Sequence, residues 1–183
     1  NIYNNKIVNL TASCTGSSSQ INYIYINGTA VSSSKTNTIY NNIIGHNSAM
    51  TGVANSTAGT DVVRGIYIGT ILPNSNHYVY YNTIYLNTSS TGAIFGTCGI
   101  YHGTNATSTT SKLDLRNNII VNTSTPSGSG KTVAYRRGTV ELSNYATSSN
   151  NNLFYAGTPG VSNLIFYDGT NSDQTINAYK TRM

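Results

Sequence analysis

Five tyrosines recur along the chain in one local setting: Tyr25, Tyr67, Tyr101, Tyr135 and Tyr167, each followed two or three residues later by Gly-Thr. The steps between them are 42, 34, 34 and 32 residues. Self-similarity at a period of roughly 20 to 50 residues marks solenoids, propellers or arrays, in which each repeat buries its apolar face only against its neighbours. A chain built this way folds as a stack of coils, and its candidate surfaces are columns that run from coil to coil.

A second ladder defines the type of coil. Asn5, Asn42, Asn82, Asn118 and Asn151 each stand two residues before an aliphatic residue: Ile7, Ile44, Ile84, Ile120 and Leu153. Each period reads as a strand such as Ile39-Tyr40-Asn41-Asn42-Ile43-Ile44, a polar loop and a second strand such as Gly65-Ile66-Tyr67-Ile68-Gly69-Thr70, both with period-two alternation. Successive side chains of a strand point to opposite faces. The columns Ile7/Ile44/Ile84/Ile120/Leu153 and Ile24/Ile66/Ile100/Ala134/Phe166 therefore face inward and the five tyrosines outward, with Tyr3, Tyr40 and Tyr80 as a second outward row. The same rule buries Leu113 and Leu115 and exposes Asp114. Stacked asparagines satisfy one another's amides along the axis, which predicts a structural ladder. Gly28, Gly69, Gly103, Gly138 and Gly169 end the tyrosine strands, where positive φ is expected. The fold class predicted is all-β, a right-handed parallel β-helix of about five coils over residues 1–170. Residues 171–183 form a short C-terminal helix or open a next module. Ser172 or Asp173 is its cap, and Ile176, Tyr179 and Met183 form its apolar face.

Stretches such as Ile39-Tyr40-Asn41-Asn42-Ile43-Ile44-Gly45-His46-Asn47, followed by Arg64-Gly65-Ile66-Tyr67-Ile68, resemble the parallel β-helix repeat of pectate-lyase-like secreted proteins. The resemblance covers nearly the whole chain and implies a fold more than an activity, because that repeat hosts lyases, glycosidases, adhesins and scaffolds alike. The run Asn163-Leu164-Ile165-Phe166-Tyr167-Asp168-Gly169-Thr170, leading to Ala178-Tyr179-Lys180, is also similar to large bacterial surface proteins exported through a type IX sorting signal. These likenesses imply an extracellular or cell-surface location. The partners implied are the remainder of a longer chain or the secretion machinery.

Composition agrees with a solenoid whose exterior is polar without being ionic. Only 8% of the residues are charged, while tyrosine (15) far outnumbers phenylalanine (3). The net charge of +5 reflects scarce acids rather than clustered bases, with Arg136-Arg137 the only adjacent pair, so a nucleic-acid footprint is not expected. No 18-residue apolar run exists, so membrane insertion is not expected either. Cys14 and Cys98 occupy different positions two coils apart and are expected to be unpaired, with Cys98 a buried filler. The chain opens inside a strand motif without a capping element, which leads to the expectation of a segment of a longer protein that associates end to end when isolated.

The chemistry readable in the residues is sparse. Asp61, Asp114, Glu141, Asp168 and Asp173 are the only acids, and no two share neighbouring rungs of one column, so paired acid–base work has no evident site. No catalytic residues, cofactor or metal ligands are assigned. His46 and His77 are read as surface residues in loops. The most site-like column is Ile26, Ile68, His102, Arg136, Asp168, which turns ionisable over its last three members and reads as an Arg–Asp pair or a small pocket for an anionic sugar. The outward row Tyr25, Tyr67, Tyr101, Tyr135, Tyr167 is the candidate glycan-contacting surface, with ring-on-ring stacking as the alternative account. The function expected is a non-catalytic segment of a secreted or cell-surface bacterial protein, acting as stalk, adhesin or glycan-contacting scaffold. The alternatives are the non-catalytic part of a polysaccharide lyase or hydrolase and a subunit of a self-assembling extracellular fibre.

Overall fold

In the computed structural model the chain is a parallel β-solenoid, described over residues 1–11, 20–27, 35–53, 61–69, 73–103 and 110–183. The first coil consists of β1 (Ile2–Tyr3), β2 (Lys6–Val8) and β3 (Ile21–Ile26), and the second of β4 (Lys35–Tyr40), β5 (Ile43–His46) and β6 (Val63–Ile68). The third consists of β7 (Ser75–Tyr80), β8 (Thr83–Leu86) and β9 (Thr97–His102), and the fourth of β10 (Lys112–Arg116), β11 (Ile119–Asn122) and β12 (Thr132–Arg137). The last contributes β13 (Leu153–Tyr155) and β14 (Asn163–Tyr167), followed by β15 (Ser172–Asp173) and α1 (Ile176–Arg182). Equivalent strands pair in parallel to make three sheets, ordered β1-β4-β7-β10, β13-β11-β8-β5-β2 and β15-β14-β12-β9-β6-β3; only β15 runs antiparallel.

About three turns are complete and flanked on both sides, fewer than the five read from the tyrosines. The first coil is an edge whose β1 has two residues. The last coil follows the first sheet only through isolated bridges, Leu113 to Tyr145 and Arg116 to Asn150.

The corner between the first and second sheets explains the asparagines. One residue in the left-handed region turns the chain: Asn4, Asn41, Tyr81, Asn117 and Asn151, with φ of 57°, 54°, 55°, 55° and 52°. Asparagine tolerates that conformation better than other non-glycine residues. The next residue forms the ladder. Asn5, Asn42, Asn82 and Asn118 hold the expected rungs, but the fifth is Asn152, because Asn151 occupies the turn. The inward residue of that coil is accordingly Phe154, paired with Ile120, and Leu153 faces out at 50% exposure.

The third sheet departs from strict alternation. Tyr23 and Ile24, Ala134 and Tyr135, and Ile165 and Phe166 are consecutive residues that all enter the main core, whereas Cys98, Val133 and Leu164 pack outside it beneath Tyr101 and Tyr167. Where Ile84 and Ile120 press across from the second sheet, the first inward residue is Gly65 or Gly99. A Cβ on Gly99 would lie 2.3 Å from Ile120 Cγ2.

Register corrects the fourth coil. Tyr101 pairs with Arg136, not with Tyr135, which pairs with Ile100 and Phe166 and is fully buried. Ala134 moves to the neighbouring position, so the inward column is Ile24/Ile66/Ile100/Tyr135/Phe166. The Gly column needs a different reason as well: Gly169 alone among Gly69, Gly103, Gly138 and Gly169 has positive φ (98°). Gly103 is small because a Cβ there would stand 2.7 Å from the Gly69 carbonyl oxygen. Gly28 and Cys14 lie outside the described residues.

The helix closes the far end of the core. Its cap is Thr175, whose Oγ1 accepts from the Ala178 N–H at 3.3 Å, while Ser172 and Asp173 form β15 instead. Tyr179 is buried against Phe154, Phe166 and Tyr135, and its hydroxyl meets that of Tyr145 at 2.7 Å. Arg182 clamps Asp173 through Nε and Nη2, at 2.6 and 2.7 Å, and so pins the helix to β15.

Candidate functional site, a tyrosine and arginine stripe

The outward column of the third sheet reads Tyr25, Tyr67, Tyr101, Arg136, Tyr167. Parallel pairing without register shift brings equivalent side chains one strand spacing apart, about 4.8 Å. Tyr25 and Tyr67 stack at 4.7 Å and Tyr67 and Tyr101 at 4.9 Å between centroids, with interplanar angles of 8° and 10°. Arg136 continues the stack, its guanidinium carbon 5.3 Å from the Tyr101 centroid and 4.8 Å from that of Tyr167. Arg64 lies over Tyr67 and Tyr101 at 4.3 and 4.7 Å. Ring faces are thus occupied by neighbours, and what the row offers to solvent is ring edges and hydroxyls, plus the outer face of Tyr25, which is 51% exposed.

Arg136 of the row and Arg64 share a carboxylate. Arg136 Nε is 2.7 Å from Asp61 Oδ2, and Arg64 Nη2 is 3.8 Å from the same oxygen. Burial is the largest influence on Arg136 and opposes its charge, but Asp61 together with Cys98, Tyr101 and Tyr167 outweighs it, and the pKa is raised. Cys98 is fully buried and free, and burial, with Asp61 adding to it, pushes its thiol up, which suits a filler rather than a nucleophile. Tyr101 is raised by burial, the neighbouring Arg136 opposing, so its hydroxyl keeps its proton at neutral pH and can both donate and accept.

The expected cluster of His102, Arg136 and Asp168 does not assemble. His102 pairs in register with Arg137, which points inward, while Arg136 points outward to Asp61. Asp168 is engaged by its own loop, accepting from the backbone N–H groups of Thr170 and Asn171 at 2.9 and 2.6 Å and from Asn171 Nδ2 at 2.8 Å. The cause is the single extra residue between coils three and four, which exchanges the roles of the adjacent arginines.

Arg137 is instead the centre of a buried polar group. It is fully buried, and no carboxylate stands within ion-pair range among the described residues. Its guanidinium donates to His102 Nδ1 and the Tyr135 hydroxyl, both at 2.9 Å, and to the Glu141 carbonyl and Asn144 Oδ1. Two further histidines expected in surface loops also lie inside, because their strands alternate them inward. His46 on β5 meets the Tyr23 hydroxyl at 2.5 Å, and His77 on β7 is buried beside Asn37.

The remaining acids are likewise committed. Asp114 alternates outward as expected yet is buried, because the Tyr80 hydroxyl, Arg116 and Ser148 close over it. The second outward row also runs from tyrosines into an arginine: Tyr3 stacks on Tyr40 at 4.9 Å, and Tyr40 and Tyr80 lead in register to Arg116. A further apolar surface, not evident in the residue pattern, is the outer face of the second sheet. Val8, Ile43, Tyr85, Ile119, Leu153 and Tyr155 stand there between 40% and 52% exposed in two adjacent columns. Pairs such as Ile43-Ile44 and Ile119-Ile120 conceal it, since both members are aliphatic and only one faces in.

No protein-family model, curated protein or solved structure matches the chain.

Proposed function

We propose that the chain is a non-catalytic solenoid segment of a secreted or cell-surface bacterial protein, akin to the pectate-lyase-like β-helices, with a type IX sorting context, and that it serves as a stalk or adhesin which contacts polysaccharide along the third sheet. The observation carrying this reading is the continuous row Tyr25, Tyr67, Tyr101, Arg136, Tyr167, in which three hydroxyls recur at the strand spacing and are followed by Arg136, whose guanidinium shares the Asp61 carboxylate with Arg64. Such a row suits a linear acidic glycan lying along the axis, held by hydroxyl and guanidinium donors rather than by sugar rings stacked on aromatic faces. Carboxylates held by Arg136, Arg116, Arg182 or loop amides favour a scaffold over the lyase or hydrolase reading.

The test is affinity electrophoresis through gels containing alginate, polygalacturonate or neutral dextran. Retardation by the acidic gels alone is expected, and the triple variant Tyr67→Phe, Tyr101→Phe, Tyr167→Phe, which keeps the stack but deletes hydroxyls, should lose most of it. Equal mobility of wild type in all gels would reject the contact surface. Release of unsaturated sugar ends would reject the non-catalytic reading.

A further inference from the structure

The asparagine ladder repeats one small recognition geometry four times. Each rung seats the Oδ1 of the next on two of its own donors, the backbone N–H and one Nδ2 hydrogen. The N–H distances are 3.1, 3.1, 3.0 and 3.1 Å and the Nδ2 distances 2.9, 2.9, 3.0 and 2.9 Å, from Asn5 onto Asn42, Asn42 onto Asn82, Asn82 onto Asn118 and Asn118 onto Asn152. The other Nδ2 hydrogen reaches back to the preceding coil, as from Asn118 to the Val79 carbonyl at 2.8 Å.

Asn152 is the last rung. Its Nδ2 makes the backward bond to the Leu115 carbonyl at 2.8 Å, and its N–H and second Nδ2 hydrogen meet no acceptor among the described residues. Asn152 belongs to the wall of a cleft of ≈ 500 Å³ between the last coil and α1, which Tyr145, Thr147, Phe154, Ile176 and Lys180 also line. Tyr179 packs on Phe154 and Phe166, where the inward side chains of another coil would have to lie. A small group fits beside the helix, and a whole further coil does not.

We infer that this cleft is a binding site for an acetamido group, as carried by N-acetylated hexosamines, whose carbonyl oxygen takes the place on Asn152 that an asparagine Oδ1 takes on every other rung. The donors are neutral and already shaped for a neutral amide oxygen. Phe154 and Ile176 supply apolar contact for the methyl group, and Thr147 and Lys180 supply partners for sugar hydroxyls. A site that pairs a specific carbonyl in this way discriminates against an analogue lacking it, because its own donors are then left unmatched. The inference rests on the ladder and not on the tyrosine stripe.

The test is titration calorimetry on the 183-residue chain with N-acetylglucosamine, glucose and acetate as probes. N-acetylglucosamine is expected to bind at least tenfold more tightly than glucose or acetate. Asn152→Asp, which keeps an oxygen for Asn118 but removes the Nδ2 donors, should weaken it tenfold or more. Thr147→Trp fills the cleft from an exposed position and should abolish binding without disturbing the ladder, which guards against misfolding of the first variant. Absence of N-acetylglucosamine binding, equal affinity for glucose or acetate, or indifference to Thr147→Trp would each overturn the site. So would self-association of wild type that Thr147→Trp abolishes, since a second copy would then be the occupant.

Discussion

Arg137 Nη1 donates to Nδ1 of His102 across 2.9 Å of fully buried interior. A guanidinium has no acceptor, so the histidine must accept and carry its proton on Nε2. Protonating Nδ1 would set two donors against each other, and burial followed by the Arg137 charge and the nearby His77 holds the His102 pKa well below its ordinary value. His77 is pushed down to about 4 by burial, and His46 is lowered by burial as well.

These histidines make the fold acid-sensitive before its carboxylates titrate. Their folded pKa values lie below the unfolded value of 6.5, so on acidification the unfolded chain takes up protons first. The stability is full above pH 6.5 and is lost as the pH falls towards 4, by about 1.4 kcal/mol per pH unit for each histidine that stays neutral. Asp114 and Asp168, lowered by their hydrogen bonds despite burial, extend the loss to lower pH. Urea midpoints should stay level from pH 7.5 to about 6.5 and then fall steadily to pH 4.5, and His77→Gln should flatten that slope by one proton. A level profile would mean that the three rings are not buried neutral.

Arg137→Lys keeps the charge and should still cost about 2–4 kcal/mol, because one ammonium cannot reach His102, Tyr135, Glu141 and Asn144 together, and each abandoned buried acceptor costs on the order of 1–3 kcal/mol. Denaturant unfolding is the measurement. A loss under 1 kcal/mol would show that the polar group is replaceable by water.

Much of this architecture is legible because a parallel stack repeats its columns in sequence: the Asn42, Asn82 and Asn118 rungs and the Ile44, Ile84 and Ile120 core stand where the ladder places them. Register and the choice among identical residues are less legible, because loops vary in length while strands must stay in register. Asn150-Asn151-Asn152 presents three identical residues, of which the left-handed turn selects the second and the ladder the third. Tyr135 has the sequence setting of the outward tyrosines but fills the core, because Arg137 can satisfy its hydroxyl there. The candidate stripe was therefore legible for Tyr25, Tyr67, Tyr101 and Tyr167. Arg136 and its Asp61 partner depend on a register that periodicity does not encode.

Tyr81 holds the left-handed corner that asparagine holds in the other coils, at φ 55° and 60% exposed. A side chain with Cβ in that region costs roughly 1–2 kcal/mol, less for asparagine. Tyr81→Asn removes little packing and should stabilise the fold by about 1 kcal/mol, a rise in melting temperature of about 2–4 °C. Calorimetry decides it: an unchanged or lower transition would mean that the tyrosine side chain contributes contacts equal to its backbone strain.

The consecutive inward positions of the third sheet give the sharpest test of how the sheets meet. Gly99 faces Ile120 Cγ2 and the Ala134 carbonyl, which a Cβ would approach to 2.3 and 2.8 Å. Gly45 sits in the middle of β5, yet a Cβ there would meet nothing closer than Val8 Cγ1 at 3.4 Å. Overpacking against backbone typically costs about 1–3 kcal/mol, whereas replacing a strand glycine whose added Cβ meets only ordinary van der Waals contacts gains roughly 0.5–1 kcal/mol through the unfolded chain. Gly99→Ala should therefore lower the urea midpoint clearly and Gly45→Ala should leave it unchanged or raise it. Adding Ile120→Ala to Gly99→Ala should cost less than the two single losses combined, since one change makes room for the other. Additive losses would place Gly99 away from Ile120 and undo the inward break that sends Tyr101 and Arg136 to the outer face.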